Sequence, residues 1–440
     1  MKTKSTVLAV LLLSSVIVCR CSREKTVELP LTMQNGYGPL PIGLGGVSSY
    51  SEDEDNPWRN TYLKVSKLPE GLTDMKQGAI ETNIYQKVYQ AYLSGNITKD
   101  WYEELQESWT WIPDTLNLSK TPVRTQIAFA YGKDADGILK IVVDANNNLD
   151  LTDDKPFTPL GTMSFEDSTA MANVIDVSFE IFVHNKIVPV NVPLFIVHVK
   201  AIDMFMCNFA RYATAQFKGV QIAVSSDNFT NLSYKNIKVA LMLNDPENGE
   251  KLKDEDLYRK NEYIEIKNEI YRISGVNTNK STLVLEKTSL SKAQLYSTQT
   301  GYKSPLFRKE EFTTKSTVAL DSLKGKYVML DFWATWCGPC IQEFSHLKEL
   351  YAKTDREKFE IVGIVGGSRP DALADVINRH EITWPQILSD DADKITETYG
   401  ISSYPTTFLI DPEGFIIAKN LRGHKLEEKV LSLIMDGESL

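Results

Sequence analysis

Cysteine is scarce in this chain. Its 440 residues contain five, and once Cys19 and Cys21 at the N-terminus are set aside, one close pair and the distant Cys207 cannot staple a scaffold of this size. Long apolar runs are also missing: the single candidate, near the start, falls short of the roughly 20 residues that a membrane span requires. Basic charge is outnumbered, with 48 Lys and Arg against 58 Asp and Glu for a net charge of -10. No Lys/Arg stripe compensates locally, so nucleic acid is not an expected partner.

What is present is a globular composition, 42% apolar and 10% aromatic, long enough for two or three domains at roughly 100 to 200 residues each. The first residues suggest an address. Lys2 and Lys4 precede the apolar run Val7 to Val18, after which Arg20, Ser22, Arg23, Glu24 and Lys25 are polar. These flanks fit an export signal over residues 1–20. The stretch VIVC, residues 16–19, resembles a bacterial lipoprotein lipobox, with Val18 where a small residue is usual. That resemblance implies lipid on Cys19, with Cys21 as the alternative acceptor, and a periplasmic protein tethered to a membrane without spanning it. Ordinary cleavage without lipid is the competing reading.

Residues 21–77 are rich in Gly, Pro, Ser and acids and read as an irregular lead-in. From Gly78 to Trp111 the spacing of Ile80, Ile84, Val88 and Tyr92 predicts a helix, followed by a second with Trp101, Leu105 and Trp109 on one face. Beyond Pro122, short β-branched runs such as QIAFAYG, ILKIVVD, VNVPLFIVHV and GVQIAVSS predict an antiparallel sandwich or open barrel. Residues 78–300 are therefore expected to form a larger, mostly β region, and residues 301–440 a separate α/β domain. In the latter, KYVMLDFWA and FEIVGIVGG read as buried strands and YPTTFLID with GFIIAKN as a closing antiparallel pair.

One loop in the β region could hold calcium. DANNNLDLTDDK sets Asp144, Asn146, Asn148 and Asp150 at alternate positions, but Leu149 replaces the expected Gly and Lys155 the expected acid. A turn in which Asn and Asp bond their own backbone is the simpler account.

The close pair lies in DFWATWCGPC, residues 331–340. With a strand ending near Ala334, Cys337 in the turn and Cys340 at the start or inside the first turn of the next helix, the helix N-terminus favours a thiolate at Cys337, below the free thiol value of about 8.5. Cys340 is then placed to resolve a mixed disulfide. Gly338 permits the turn, and Pro339 presets the helical dihedral. A zinc site would need two further ligands, and no second paired element supplies them.

DFWATWCGPC resembles the active-site strand and helix of thioredoxin. The wider set FWATWCGPCIQEF and ITWPQILSDDADKITETYGISSYPTTFLIDPEGFI is similar to the extracytoplasmic thioredoxin-like reductases of the TlpA/ResA family, over residues 303–440. The resemblance implies a thioredoxin-like fold with a redox-active Cys337–Cys340 disulfide and no other cofactor. It implies a cis-Pro405 facing the pair, and Tyr404 and Trp336 shaping the groove for a protein disulfide. Asp331 becomes the buried acid behind Cys340, and Glu343 the additional acid of the extracytoplasmic branch. An acid on so apolar a strand should titrate high and can take the proton of Cys340.

The family likeness further implies a disulfide reductase fed by a membrane electron donor. Two alternatives stand beside it: a peroxide-reducing thiol enzyme, and a binding or assembly module whose attached redox domain serves one client.

Overall fold

The computed structural model describes residues 25–161, 166–242, 251–253, 256–389, 394–401 and 403–436. The proposed export segment with Cys19 and Cys21 lies outside these residues.

Among the described residues, every strand ladder before residue 300 is antiparallel. Two pairs of sheets enclose two separate cores. In the first pair, a sheet of Lys25–Pro30, Thr282–Thr288, Glu269–Asn277 and Tyr263–Ile266 faces one built on Ile237–Met242, Val220–Ser226 and Arg211–Phe217. Leu29, Ile273 and Leu285 from one side meet Ile222, Val224 and Val239 from the other. In the second pair, Thr73–Glu81, Gln126–Lys133 and Leu139–Val143 face Met204–Phe209, Lys186–Val199 and Val174–Val183. Here Ile127, Phe129 and Ile141 pack on Phe179, Leu194 and Phe209. Alternation along each strand sends these side chains to one face.

Two readings of the N-terminal part need correction. The lead-in is not irregular throughout: Lys25–Pro30, Thr32–Asn35 and Gly45–Val47 are strands, each pairing with a strand far along the chain. Their partners lie more than 150 residues away, and such edge pairing leaves no local periodicity. The helix also starts later than Gly78. Gly78 and Ile80 belong to the strand Thr73–Glu81, and the helix Ile84–Leu93 begins where Asn83 accepts the Gln86 N–H as its cap. The second helix, Lys99–Ser108, is capped by Thr98.

The C-terminal part is a five-stranded mixed sheet in the order Gln386–Leu388, Phe359–Val365, Tyr327–Trp333, Thr406–Ile410, Ile416–Lys419. The first three strands run parallel and the last two antiparallel to their neighbours. Period two divides the central strand Tyr327–Trp333: Val328, Leu330 and Phe332 enter one core, Met329 and Trp333 the other. Asp331 falls on the face of Met329 and Trp333, the face covered by the helix Gly338–Lys353. This domain has the thioredoxin-like fold. Residues 301–304 strap the β region to it, through Gly301 N–H to Ile416 and Ser304 N–H to Gly414.

Candidate active site

The central strand runs out at Trp333, and Cys337 becomes the N-cap of the helix Gly338–Lys353, with Pro339 in its first turn. Cys337 and Cys340 form a disulfide with Cα atoms 5.3 Å apart. The Cys340 N–H donates to Cys337 Sγ at 3.2 Å. A backbone donor that the helix leaves without an internal partner is thus aimed at the first sulfur, the arrangement that stabilises negative charge there when the bond is open. Only 5% of Cys337 and 2% of Cys340 is exposed. Access comes from the rim, where Trp336 is 67% exposed.

The two tryptophans divide as buried support and exposed surface. Trp333 is fully buried, edge-on to Phe344, and its Nε1–H donates to Gln386 Oε1 at 2.9 Å. Trp336 donates from Nε1 to the Gly367 carbonyl at 2.9 Å and stands edge-on to Tyr404. The peptide bond from Tyr404 to Pro405 is cis. The loop after Phe359–Val365 holds the active-site loop from behind: Thr335 N–H donates to Ser368 Oγ at 3.0 Å, and Gly366 N–H to the Trp333 carbonyl at 3.0 Å. Gly366 is needed for space, since a Cβ there would lie 2.0 Å from the Tyr404 hydroxyl.

Asp331 is 4% exposed, and its carboxyl is pushed up to about 7, first by burial and then by the negative charge of Glu343, while Arg422 pulls the other way. Glu343 accepts the Gly423 N–H at 3.0 Å, at the start of the helix Gly423–Asp436. Arg422 donates to the Pro405 carbonyl. Asp331, Glu343, Arg422 and Pro405 are therefore linked to one another. Sequence reasoning missed Arg422, Ser368 and Gln386. The double glycine of VGGS was the one legible hint of a close approach.

The remaining candidates lie elsewhere. Cys207 is 3% exposed in the second β core, where burial pushes its thiol up to about 12, so it is a packed apolar group. In the loop at 144–154, Asp144 accepts the N–H groups of Asn148 and Leu149 at 3.0 and 2.9 Å. Asn146 and Asn148 donate to Asp153, and Asp150 pairs with Lys67. That is the geometry of the self-bonded turn. Among the described residues no group of three or more His, Cys, Asp or Glu side chains is placed to hold a metal.

The AhpC/TSA family model matches residues 300–419. ResA of Bacillus subtilis, a thiol-disulfide oxidoreductase, is 34% identical over 142 residues, covering 32% of this chain and 78% of the relative. ResA of Bacillus anthracis is 33% identical over 132 residues, 30% of this chain and 75% of the relative. The chain belongs to the ResA family of thiol-disulfide oxidoreductases. Its ResA-like part is the C-terminal domain. A solved thioredoxin domain of a thiol-disulfide oxidoreductase from Bacteroides vulgatus is 32% identical, covering 31% of this chain and 97% of that one, with a TM-score of 0.29. As in the ResA relatives, the chemistry is exchange between a dithiol and a disulfide.

Proposed function

We propose that the protein reduces disulfides in protein clients outside the cytoplasm, with Cys337 as nucleophile and Cys340 as resolving thiol. In the reduced enzyme the Cys337 thiolate attacks one client sulfur, forming a mixed disulfide and releasing the other client sulfur as a thiolate. Asp331 takes the proton of Cys340. The Cys340 thiolate then attacks Cys337 Sγ, which closes the enzyme disulfide and expels the second client sulfur, leaving the client with two thiols. A dithiol donor at the membrane restores the reduced enzyme by the reverse exchange.

The observation that carries this reading is the position of Cys337 as N-cap of the helix Gly338–Lys353, with the Cys340 N–H donating to its sulfur, on the face of the sheet that also holds Asp331, a buried acid pushed up to about 7. Such an acid can both accept and return a proton at physiological pH. The direction rests on the Gly338-Pro339 insert, which resembles that of reducing thioredoxins. Equilibration with glutathione buffers tests this: the reading predicts a potential near about -270 mV, and a value near about -120 mV overturns the reductase direction.

We place the protein in the periplasm, held at a membrane by lipid on Cys19. Among the described residues no helix is long and apolar enough to cross a membrane. Radiolabelled palmitate should enter the wild type and Cys21→Ser but not Cys19→Ser. Labelling lost only in Cys21→Ser moves the lipid to Cys21, and labelling of neither parent nor variants removes the anchor.

A further inference from the structure

Within the β region, a cavity of about 140 Å³ lies where the two β sandwiches meet. Its wall is mostly apolar, with Phe179, Ile181, Val183, Leu232 and Val276 among the lining side chains. Arg211 also lines it, with its Nε buried and without a hydrogen-bond partner. Among the described residues no carboxylate pairs with that guanidinium. The one acid on the wall, Glu180, is held by Arg124, which reaches it with its side chain at 3.0 Å and its backbone N–H at 2.9 Å.

Two further donors line the same cavity. Thr125 Oγ is buried without a partner. Among the described residues the Tyr234 hydroxyl donates to the sulfur of Met33, at 3.7 Å, and a thioether is a weak acceptor. Tyr234 is also held at a φ of +51°, a conformation a bulky side chain rarely adopts. Burial draws the guanidinium of Arg211 below its ordinary pKa, with Tyr234 opposing the shift. A partly buried cation without a counter-charge is unfavourable, and an entering anion would offset that cost.

We propose that this cavity binds a small carboxylic acid, its carboxylate on Arg211, Thr125 and Tyr234 and its hydrocarbon body against the apolar wall. A single guanidinium matches the single charge of a carboxylate in a two-pronged contact. A phosphate would bring more charge and more acceptors than the apolar wall can satisfy. The volume suits a body about the size of a benzene ring. A wider cavity of about 510 Å³ shares Asn83, Asn117, Tyr234, Val276 and Thr278 with this one, so a longer chain has room to continue outward.

The test is calorimetric titration of the whole exported chain with benzoate and hexanoate, each against its amide. The proposal expects saturable binding of each acid at least about 10-fold tighter than its amide, about 1.4 kcal/mol. Arg211→Gln should abolish that preference. Should Arg211→Gln fail to fold, Arg211→Lys, which keeps the charge and loses the fork, should weaken the acid several-fold, as should Thr125→Val. In melting experiments the acids, not the amides, should raise the wild-type midpoint. Equal binding of acid and amide, a preference that survives both Arg211 variants, or no acid binding at millimolar concentration overturns it.

Discussion

Trp336 and Tyr404 meet edge to face, with ring centroids 5.8 Å apart and planes inclined at 73°. One ring belongs to the loop that carries Cys337 and the other to the residue before Pro405, so under the proposed function a client entering beside the disulfide would touch both. Trp336→Ala should lower kcat/KM for a protein disulfide such as insulin by about 10-fold, the loss expected of one exposed aromatic anchor. Reduction of a small aromatic disulfide should change little. Because Trp336 is exposed, unfolding stability should stay within about 0.5 kcal/mol of wild type.

Asp331 should make stability depend on pH. Its folded pKa is raised to about 7, so the folded form holds a proton that the unfolded chain has already released. The contribution is fully present below the ordinary carboxylate value and is lost as pH rises through about 7. Asp331→Asn removes that loss. In urea unfolding the variant should gain on wild type between pH 5 and pH 8, by at most about 3 kcal/mol. A gain independent of pH would show that the carboxyl ionises normally. Asp331→Asn should also slow resolution, so that mixed disulfide accumulates at steady state.

Glu343 and Arg422 act on Asp331 with opposite sign. Glu343→Gln keeps an acceptor for the Gly423 N–H and removes the charge, so the pH profile of the resolving step should move to lower pH. Arg422→Met should move it to higher pH. Single-turnover reduction of a labelled disulfide across pH 5 to 9 would separate the two, and shifts in the same direction would contradict the arrangement.

Gly366 and Tyr404 should be coupled. Gly366→Ala places a Cβ 2.0 Å from the Tyr404 hydroxyl and 3.1 Å from its ring, so Tyr404 must move and the groove with it. We expect a loss of about 1–3 kcal/mol of stability and weaker client binding. Adding Tyr404→Phe removes the closest atom and should recover most of both, giving a coupling energy in a double-mutant cycle.

The C-terminal domain was legible because its signals are local. A nearly continuous apolar run, a Gly-Pro between two cysteines and a helical pattern after them sit within one short stretch. Asp331 could be read as buried from its strand neighbours alone. Arg422 could not, since it reaches Pro405 from a loop that only the sheet order brings close. The β region obeyed the same rule. Strands such as Lys186–Val199 carried their own pattern, whereas Lys25–Pro30 owes its form to Thr282–Thr288, far along the chain. Ile80 kept a helical spacing with Ile84 by coincidence, because the Asn83 cap falls between them. That the β region forms two sandwiches rather than one depends on which strands face each other, information that strand periodicity does not contain.

The account depends most on which sulfur meets the client. With Cys340→Ser, mass spectrometry after exposure to an oxidised client should find a stable adduct on Cys337, and the matching Cys337→Ser protein should form none. Adducts on Cys340 in Cys337→Ser, with Cys337 left free in Cys340→Ser, would contradict it.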